Sequence, residues 1–457
     1  MPRWLYALLI FTVLTPVLDL LATRSLLPLP PLLIFIIAAL GILPLAALIG
    51  QSVEQVAEHT GERIGGLLFA TFGNATELII GIFALSEGLV DVVRASIIGS
   101  ILGNALLVLG VSTCIGTFKH GRLRFETRPA SQYASLLALC IGGLVLPAFA
   151  ELLASRTNQP RQQIIEQGVV LSDFIAVLLL LGYLASILFS VFRVGDKSAE
   201  EEIEDRLEPT LGARSEAAVA RLLAYRHHLM QSSEPAKSGV LRQIDSTVQA
   251  IVQHEAEQDD GQSVGARQGE VRQEKVIEMK KPDAAEAVPA PVKAEANKEQ
   301  PEHKPNLWLA LVLLAVATAG VAWLSEILVG SIEPFTKTLG WNPAFVGLVF
   351  IPLIGGLPEY FNTINMALDK RMGMVLAASA GSSIQIALLI APILVLVSLV
   401  MPQRLDLVFS VVELAVLGLA TFLFSEITKD GELVWLEGLL LILLYAMMGG
   451  TVFLFGA

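Results

Sequence analysis

Charge is the first thing this sequence is short of. Of 457 residues only 16% are Asp, Glu, Lys or Arg, against 54% hydrophobic, and the mean hydropathy is +0.65. The length would suit two or three water-soluble domains, but so apolar a chain has too little polar surface to clothe them. The charges present are also unevenly spread: residues 193–305 hold 22 of the 43 acidic and 16 of the 31 basic residues. A formal net charge of −12 gives no ground for a nucleic-acid partner. Cysteine is nearly absent. Cys114 and Cys140 both lie in apolar runs, without disulfide or zinc spacing, and read as small buried hydrophobes. The six histidines avoid the centres of the apolar runs, and His227-His228 read as part of an exposed helix face. No His-Glu-x-x-His or comparable nucleophile motif occurs, so neither a hydrolase nor a bound cofactor is expected.

Long apolar runs are what the chain has in quantity. Stretches of about 20 residues, enough to cross a bilayer, fall near 4–22, 31–50, 64–86, 92–117, 131–153, 168–192, 306–330, 342–367, 374–400, 405–426 and 433–456. The first lacks a clear small-residue cleavage site and reads as a span rather than a signal peptide. The expectation is an all-α polytopic membrane protein with eleven spans, embedded in a lipid bilayer.

The chain also contains one unit twice. An offset of 282 carries Gly73 to Gly355, Glu77 to Glu359, Gly99 to Gly381 and Ser100 to Ser382. The same offset takes Gly65 to Gly347 and Ala105-Leu106-Leu107 to Ala387-Leu388-Leu389, without a gap. The first span has no counterpart, and the other ten divide five and five. The expected domains are therefore an extra helix over 1–23, a first repeat over 31–192, a charged loop over 193–305 and a second repeat over 306–457. An odd number of crossings per copy makes the repeats inverted, which places substrate and ion sites near the bilayer midplane where the copies meet. Lys119, Arg122, Arg124 and Arg128 follow span four, and Lys370 and Arg371 follow span eight. These bases predict that the N-terminus and the long loop are cytoplasmic, at the inner membrane if the source is bacterial. Apolar spacing predicts helices within 215–256, and composition predicts disorder over 257–304. The loop could serve a regulatory contact or homo-oligomer formation, or be a solvated insertion.

A carboxylate at membrane depth costs a few kcal/mol on insertion scales and marks a functional site by default. Glu77 sits in the polar pentad Gly73-Asn74-Ala75-Thr76-Glu77, and Glu359 stands in register with it. At i, i+1 and i+4 of a helix, Gly73, Asn74 and Glu77 share a face or its margin. Carboxylate, amide and main-chain oxygens form the hard-donor set that calcium takes. The second copy, Gly355-Gly356-Leu357-Pro358-Glu359, lacks the asparagine. There Pro358 frees the carbonyl of Ile354 and Pro352 that of Leu348, so main-chain oxygens are expected to replace the missing amide. Ser100 with Asn104, and Ser382 with Gln385, can add hydroxyl and amide oxygens, although small residues also serve helix packing. Glu326 and Glu413 are weaker candidates for the same site. Asp173 could equally be structural, and Asp19 reads as structural. Glu54, Glu58 and Glu62 could form a cation-attracting vestibule or merely a solvated face.

These residues resemble the cation/proton exchanger family, within the cation/calcium exchanger superfamily. The resemblance rests on Gly65-Gly66-Leu67-Leu68-Phe69-Ala70-Thr71-Phe72 with the pentad that follows, and on Ala95-Ser96-Ile97-Ile98-Gly99-Ser100-Ile101-Leu102-Gly103-Asn104. It continues through Ser325-Glu326, Gly381-Ser382-Ser383-Ile384-Gln385-Ile386 and Asp430-Gly431-Glu432-Leu433-Val434-Trp435-Leu436-Glu437-Gly438. It implies calcium transport driven by protons, with Glu77 and Glu359 as ligands and proton acceptors. Against the family's Gly-Asn-Ala-Ala-Glu-His, this chain has Gly356 for Asn, Pro358 for Ala and Tyr360 for His. A sodium-driven exchanger on the same scaffold and a passive cation channel are the alternatives.

Overall fold

The computed structural model describes residues 3–60, 68, 71–156, 160–190, 241, 245 and 307–455. Met1–Val194 with His303–Ala457 form one compact unit, and Gly195–Glu302 a second. In the second unit only Leu241 and Asp245 are described, both helical. The helices expected within 215–256 otherwise lie outside the described residues, as do the stretch 257–304, Glu62, Gly65 and Gly66.

In hydrocarbon every backbone N–H and C=O must find a partner within its own segment, so the apolar runs become helices. The first half holds α1 (Arg3–Thr23), α2 (Pro31–Thr60), α3 (Ala75–Ser86), α4 (Val90–His120), α5 (Thr127–Ala154) and α6 (Arg161–Ser190). The second holds α7 (Leu307–Leu339), α8 (Pro343–Gly355), α9 (Leu357–Leu368), α10 (Met372–Val400), α11 (Val411–Ile427) and α12 (Trp435–Phe455). Among the described residues, eight helices are long and apolar enough to cross a membrane, and the pair α8–α9, bent by 58°, makes a ninth. Nine of the eleven expected spans are thus present as membrane-length helices among the described residues.

The other two expected spans are shorter among the described residues. Of 64–86 the described helix is the 12-residue α3, which starts after a turn at Gly73-Asn74. Of 405–426 only 411–427 is helical. Residues 404–410 run extended, burying Leu405, Leu407 and Phe409 in alternation. Side chains satisfy the backbone there: Leu405 N donates to Ser398 Oγ and Leu407 N to Ser172 Oγ, each at 3.0 Å. Irregular backbone in a membrane protein is tolerated where, as here, it is buried in protein.

The internal repeat reappears in the helix limits. Shifted by 282, Ala75–Ser86 becomes Leu357–Leu368, the bounds of α9, and Val90 becomes Met372, the first residue of α10. Each copy also has a π-helical turn at matching places, Gly103–Val108 in α4 and Ile386–Ile390 in α10. Ser383 Oγ donates to Ile101 O at 3.0 Å. These residues are 282 apart, so each touches its own counterpart, which puts the contact on the axis relating the copies.

Polar groups face inward and apolar ones outward, as a bilayer requires. Leu139, Val170, Trp308 and Phe455 are exposed, while Asn74, Glu77, Asn104, Ser382 and Ser383 are buried. One membrane face is tied by β1 (Leu123–Arg124) pairing antiparallel with β2 (Glu432–Leu433), and by His120 Nε2 at 2.7 Å from Leu368 O. The opposite face is tied by ion pairs. Arg94 meets Asp406 at 2.7 Å, and Arg404 Nη2 meets both oxygens of Asp173 at 2.6 and 2.7 Å. Asp173 is accordingly a structural residue.

The core is tightest where α4 crosses α8. A Cβ on Gly99 would fall on Leu348 O, and one on Gly347 on Val92 O. Two backbones in contact cannot yield as a side-chain tip can. Gly99→Ala is therefore expected to cost about 1–3 kcal/mol or more, read as a lower melting temperature in detergent. An unchanged melting temperature would mean that the helices do not approach this closely.

Candidate ion site at the helix breaks

Glu77 and Glu359 each occupy the first turn of a helix that begins at a break. Backbone N–H groups left unpaired at such a start make the position favourable to negative charge. In the first copy the break is Gly73-Asn74, and in the second it is Gly356. Glu77 is 6% exposed, so neither bulk water nor a surface cation serves it. Its carboxylate lies against the backbone of the other copy: a Cβ on Gly355 would stand 2.7 Å from Glu77 Cδ and 2.8 Å from Oε1. Glycine at 355 is what makes room for the acid.

The remaining contacts run through amides and hydroxyls. Asn74 starts α3 without capping it. Instead its Nδ2 donates to Gln385 Oε1 at 2.7 Å, and its Oδ1 accepts from Ser382 Oγ at 2.9 Å. Ser382 Oγ also lies 3.1 Å from Glu359 Oε1 and receives Asn104 Nδ2 at 2.9 Å. A hydroxyl has one hydrogen to give, so Ser382 serves either Asn74 or Glu359 at one time. Ser379 Oγ donates to the main-chain carbonyl of Asn104, fixing the helix that carries it.

Glu77 Oε2 and Glu359 Oε2 are buried without a hydrogen-bond partner. Unpaired carboxylate oxygens in a buried site are costly, and here one is contributed by each copy of the repeat. No three His, Cys, Asp or Glu side chains converge on one point among the described residues. A cation between the two acids would thus complete its shell with amide, hydroxyl and backbone oxygens and water, which suits calcium's six to eight oxygen ligands.

The structure therefore gathers Glu77, Glu359, Asn74, Gln385, Asn104, Ser382 and Gly355 from five helices, α3, α4, α8, α9 and α10, with Asn74 in the turn that starts α3. Gly73 forms the turn ahead of α3, and Ser100 is buried one turn before Asn104. Two further expected residues are not at this place. Glu326 is exposed on α7 and lines a separate cavity with Asp19 and Glu87. Glu413 belongs to the start of α11, where Ser410 and Glu413 form a reciprocal capping box. The Ser-x-x-Glu spacing is the sequence signal of such a cap. Glu54 and Glu58 are exposed in the last turns of α2.

The expectation about proline changes in two respects. Pro358 falls in the first turn of α9, where a missing N–H is no loss. The break is set by Gly356 ahead of it. The Leu348 carbonyl, which Pro352 deprives of its helical donor, accepts from Tyr445 Oη at 3.1 Å. That oxygen is already engaged, and no local pattern in the sequence singles out Tyr445.

A model of the family described as sodium/calcium exchanger protein matches residues 30–192 and 309–454. A Ca(2+)/H(+) antiporter of Synechocystis sp. is 32% identical over 415 residues, covering 91% of this chain and 89% of its own. The Ca(2+)/H(+) antiporter ChaA of Bacillus subtilis is 28% identical, with 94% of each covered. Vacuolar cation/proton exchanger 3 of rice, Oryza sativa, is 29% identical, covering 92% of this chain and 80% of its own. Among solved structures, native YfkE superposes with a TM-score of 0.64 at 25% identity, covering 98% of this chain and 99% of its own. The H+/Ca2+ exchanger CAX, at 12% identity with 99% and 92% covered, shares the fold with a TM-score of 0.55. Both matched segments carry one of the two buried acids and its helix break, and the chain belongs to the sodium/calcium exchanger protein family.

Proposed function

We propose that this chain is a secondary transporter exchanging calcium for protons at the paired carboxylates Glu77 and Glu359. The observation that carries the reading is the pair of partnerless buried oxygens, one per repeat, beside a Ser382 hydroxyl that links Glu359 to Asn74 and Asn104. Two carboxylates held in a poorly solvated space repel one another, and their charge is cancelled either by one divalent cation or by two protons. Competition for that single place, opened to one side and then the other by inverted repeats, couples the two fluxes without a separate proton path. Relatives named as Ca(2+)/H(+) antiporters over nearly the whole length favour calcium and protons as the exchanged ions.

On this reading the N-terminus and the loop 193–305 are cytoplasmic. The face tied by β1, β2 and His120 carries Lys119, Arg122, Arg124, Lys370 and Arg371, the cationic bias expected there. α3 and α11 then complete eleven crossings, five in each inverted repeat. The loop is a candidate for regulatory or homo-oligomeric contact.

The test is transport in everted vesicles holding the full chain, with pH and sodium gradients imposed in turn. A pH gradient, acid inside, should drive calcium accumulation and a sodium gradient should not. Accumulation driven by sodium alone would replace the proton by sodium, and flux without accumulation would indicate a channel.

A further inference from the structure

A second cavity, of about 300 Å³, opens at the membrane face that carries the ion pairs. Asp91 and Arg94 of α4, Asn342 at the entry to α8, and Ser410 and Glu413 at the start of α11 line it, with apolar groups of the extended connector. It stands at the outer ends of the two helices whose inner parts carry Asn104 and Gly355. Arg94 precedes Asn104 by ten residues, about 15 Å along a helix axis.

Glu413 sets this cavity apart from an ordinary acidic surface. It is 3% exposed. Its Oε2 accepts from Ser410 N at 2.8 Å, whereas Oε1 is buried with no hydrogen-bond partner. The nearby guanidinium does not compensate it, because Arg94 gives Nη1 to Asp91 at 3.0 Å and Nη2 to Asp406 at 2.7 Å. Two acids already more than balance that one base. The charge left over is negative and belongs to a buried carboxylate, an arrangement that is unfavourable until a cation or a donor arrives. The other wall groups are an exposed carboxylate, a hydroxyl and an amide, all hard oxygen donors. An anion would meet two carboxylates, Asp91 and Glu413, and an arginine whose two Nη groups are already engaged.

We infer that this cavity is a second cation site, in which a largely hydrated divalent cation is held against Glu413 Oε1 with Asp91 opposite. Its place at the ends of α4 and α8 makes it an antechamber that concentrates the cation before the Glu77–Glu359 pair. The antechamber role rests on the exchange reading, whereas the binding itself does not.

Terbium, a luminescent stand-in for calcium, tests the site in the purified full chain. The chain carries Glu77→Gln and Glu359→Gln so that the central pair is silent. Trp341, next to Asn342, serves as the antenna. The expected result is terbium emission excited through Trp341, displaced by calcium and lost in Trp341→Phe. Glu413→Gln keeps an oxygen for the Ser410 N–H and should weaken terbium binding about tenfold or more. Asp91→Asn, at an exposed position, should weaken it as well and serves if the first variant does not fold. Emission that is absent, that survives Trp341→Phe, or that neither acid substitution alters overturns the inference. Failure of the exchange reading alone would look different: no proton-driven uptake in vesicles, with the terbium signal intact.

Discussion

Calcium accumulation driven by a pH gradient is expected to vanish in Glu77→Gln and, separately, in Glu359→Gln. Each substitution removes one of the two negative charges that a divalent cation must meet, and leaves a group that cannot exchange a proton. Carboxamide and carboxylate are nearly equal in size, so Gly355 can still accept the side chain at 77, and the fold should persist. A fall of at least about 100-fold in uptake, roughly 2.7 kcal/mol, is the expected size in everted vesicles loaded with equal amounts of transporter. Full uptake in either variant would sink the shared-site mechanism, because one carboxylate would then suffice for both ions.

Gly355→Ala should have an effect of similar size for a steric reason. Its methyl group would stand 2.7 Å from Glu77 Cδ, 2.8 Å from Oε1 and 2.9 Å from Cγ. The acid would have to leave its position or the broken span would have to retreat. Either outcome separates Glu77 from the groups on the second copy, and uptake should drop by more than about tenfold, or 1.4 kcal/mol. Gly103→Ala provides the contrast, since its nearest neighbour would be Pro352 Cβ at 3.6 Å, an ordinary contact. Uptake and melting temperature measured for both variants check this. Gly355→Ala transporting like the parent would show that Glu77 does not need the space that glycine leaves.

Much of this site was legible in the sequence because the repeat is ungapped. The offset that pairs Glu77 with Glu359 also carries the bounds of α3 onto those of α9. Neither insertions nor deletions had blurred the register. What the sequence did not reveal was facing. Glu326 and Glu413 lie in apolar surroundings as Glu77 does, but hydropathy reports depth and not the direction in which a side chain looks. The extended connector before α11 reads as part of an apolar span because Leu405, Leu407 and Phe409 are apolar. Their spacing of two was the available clue, and the serines that satisfy the backbone there, Ser172 and Ser398, are distant in the chain. The hydrogen bond from Tyr445 to Leu348, 97 residues apart, had no local signal.

The serine at 382 bears on how the transporter should behave when approached from its two sides. Its hydroxyl joins an amide of the first copy to the acid of the second. Its counterpart, Ser100, has no such partner to join, because the residue equivalent to Asn74 is Gly356. Exchanging the two copies therefore does not regenerate the same set of donors. A transporter with interchangeable halves would bind its ion equally well from either compartment. If the ion binds between the two acids, it would meet unlike donor sets in the two copies, so half-saturating calcium concentrations on the two faces should differ. Exchange would then saturate at different calcium concentrations in its two directions, while the imposed gradients alone set the direction of net transport.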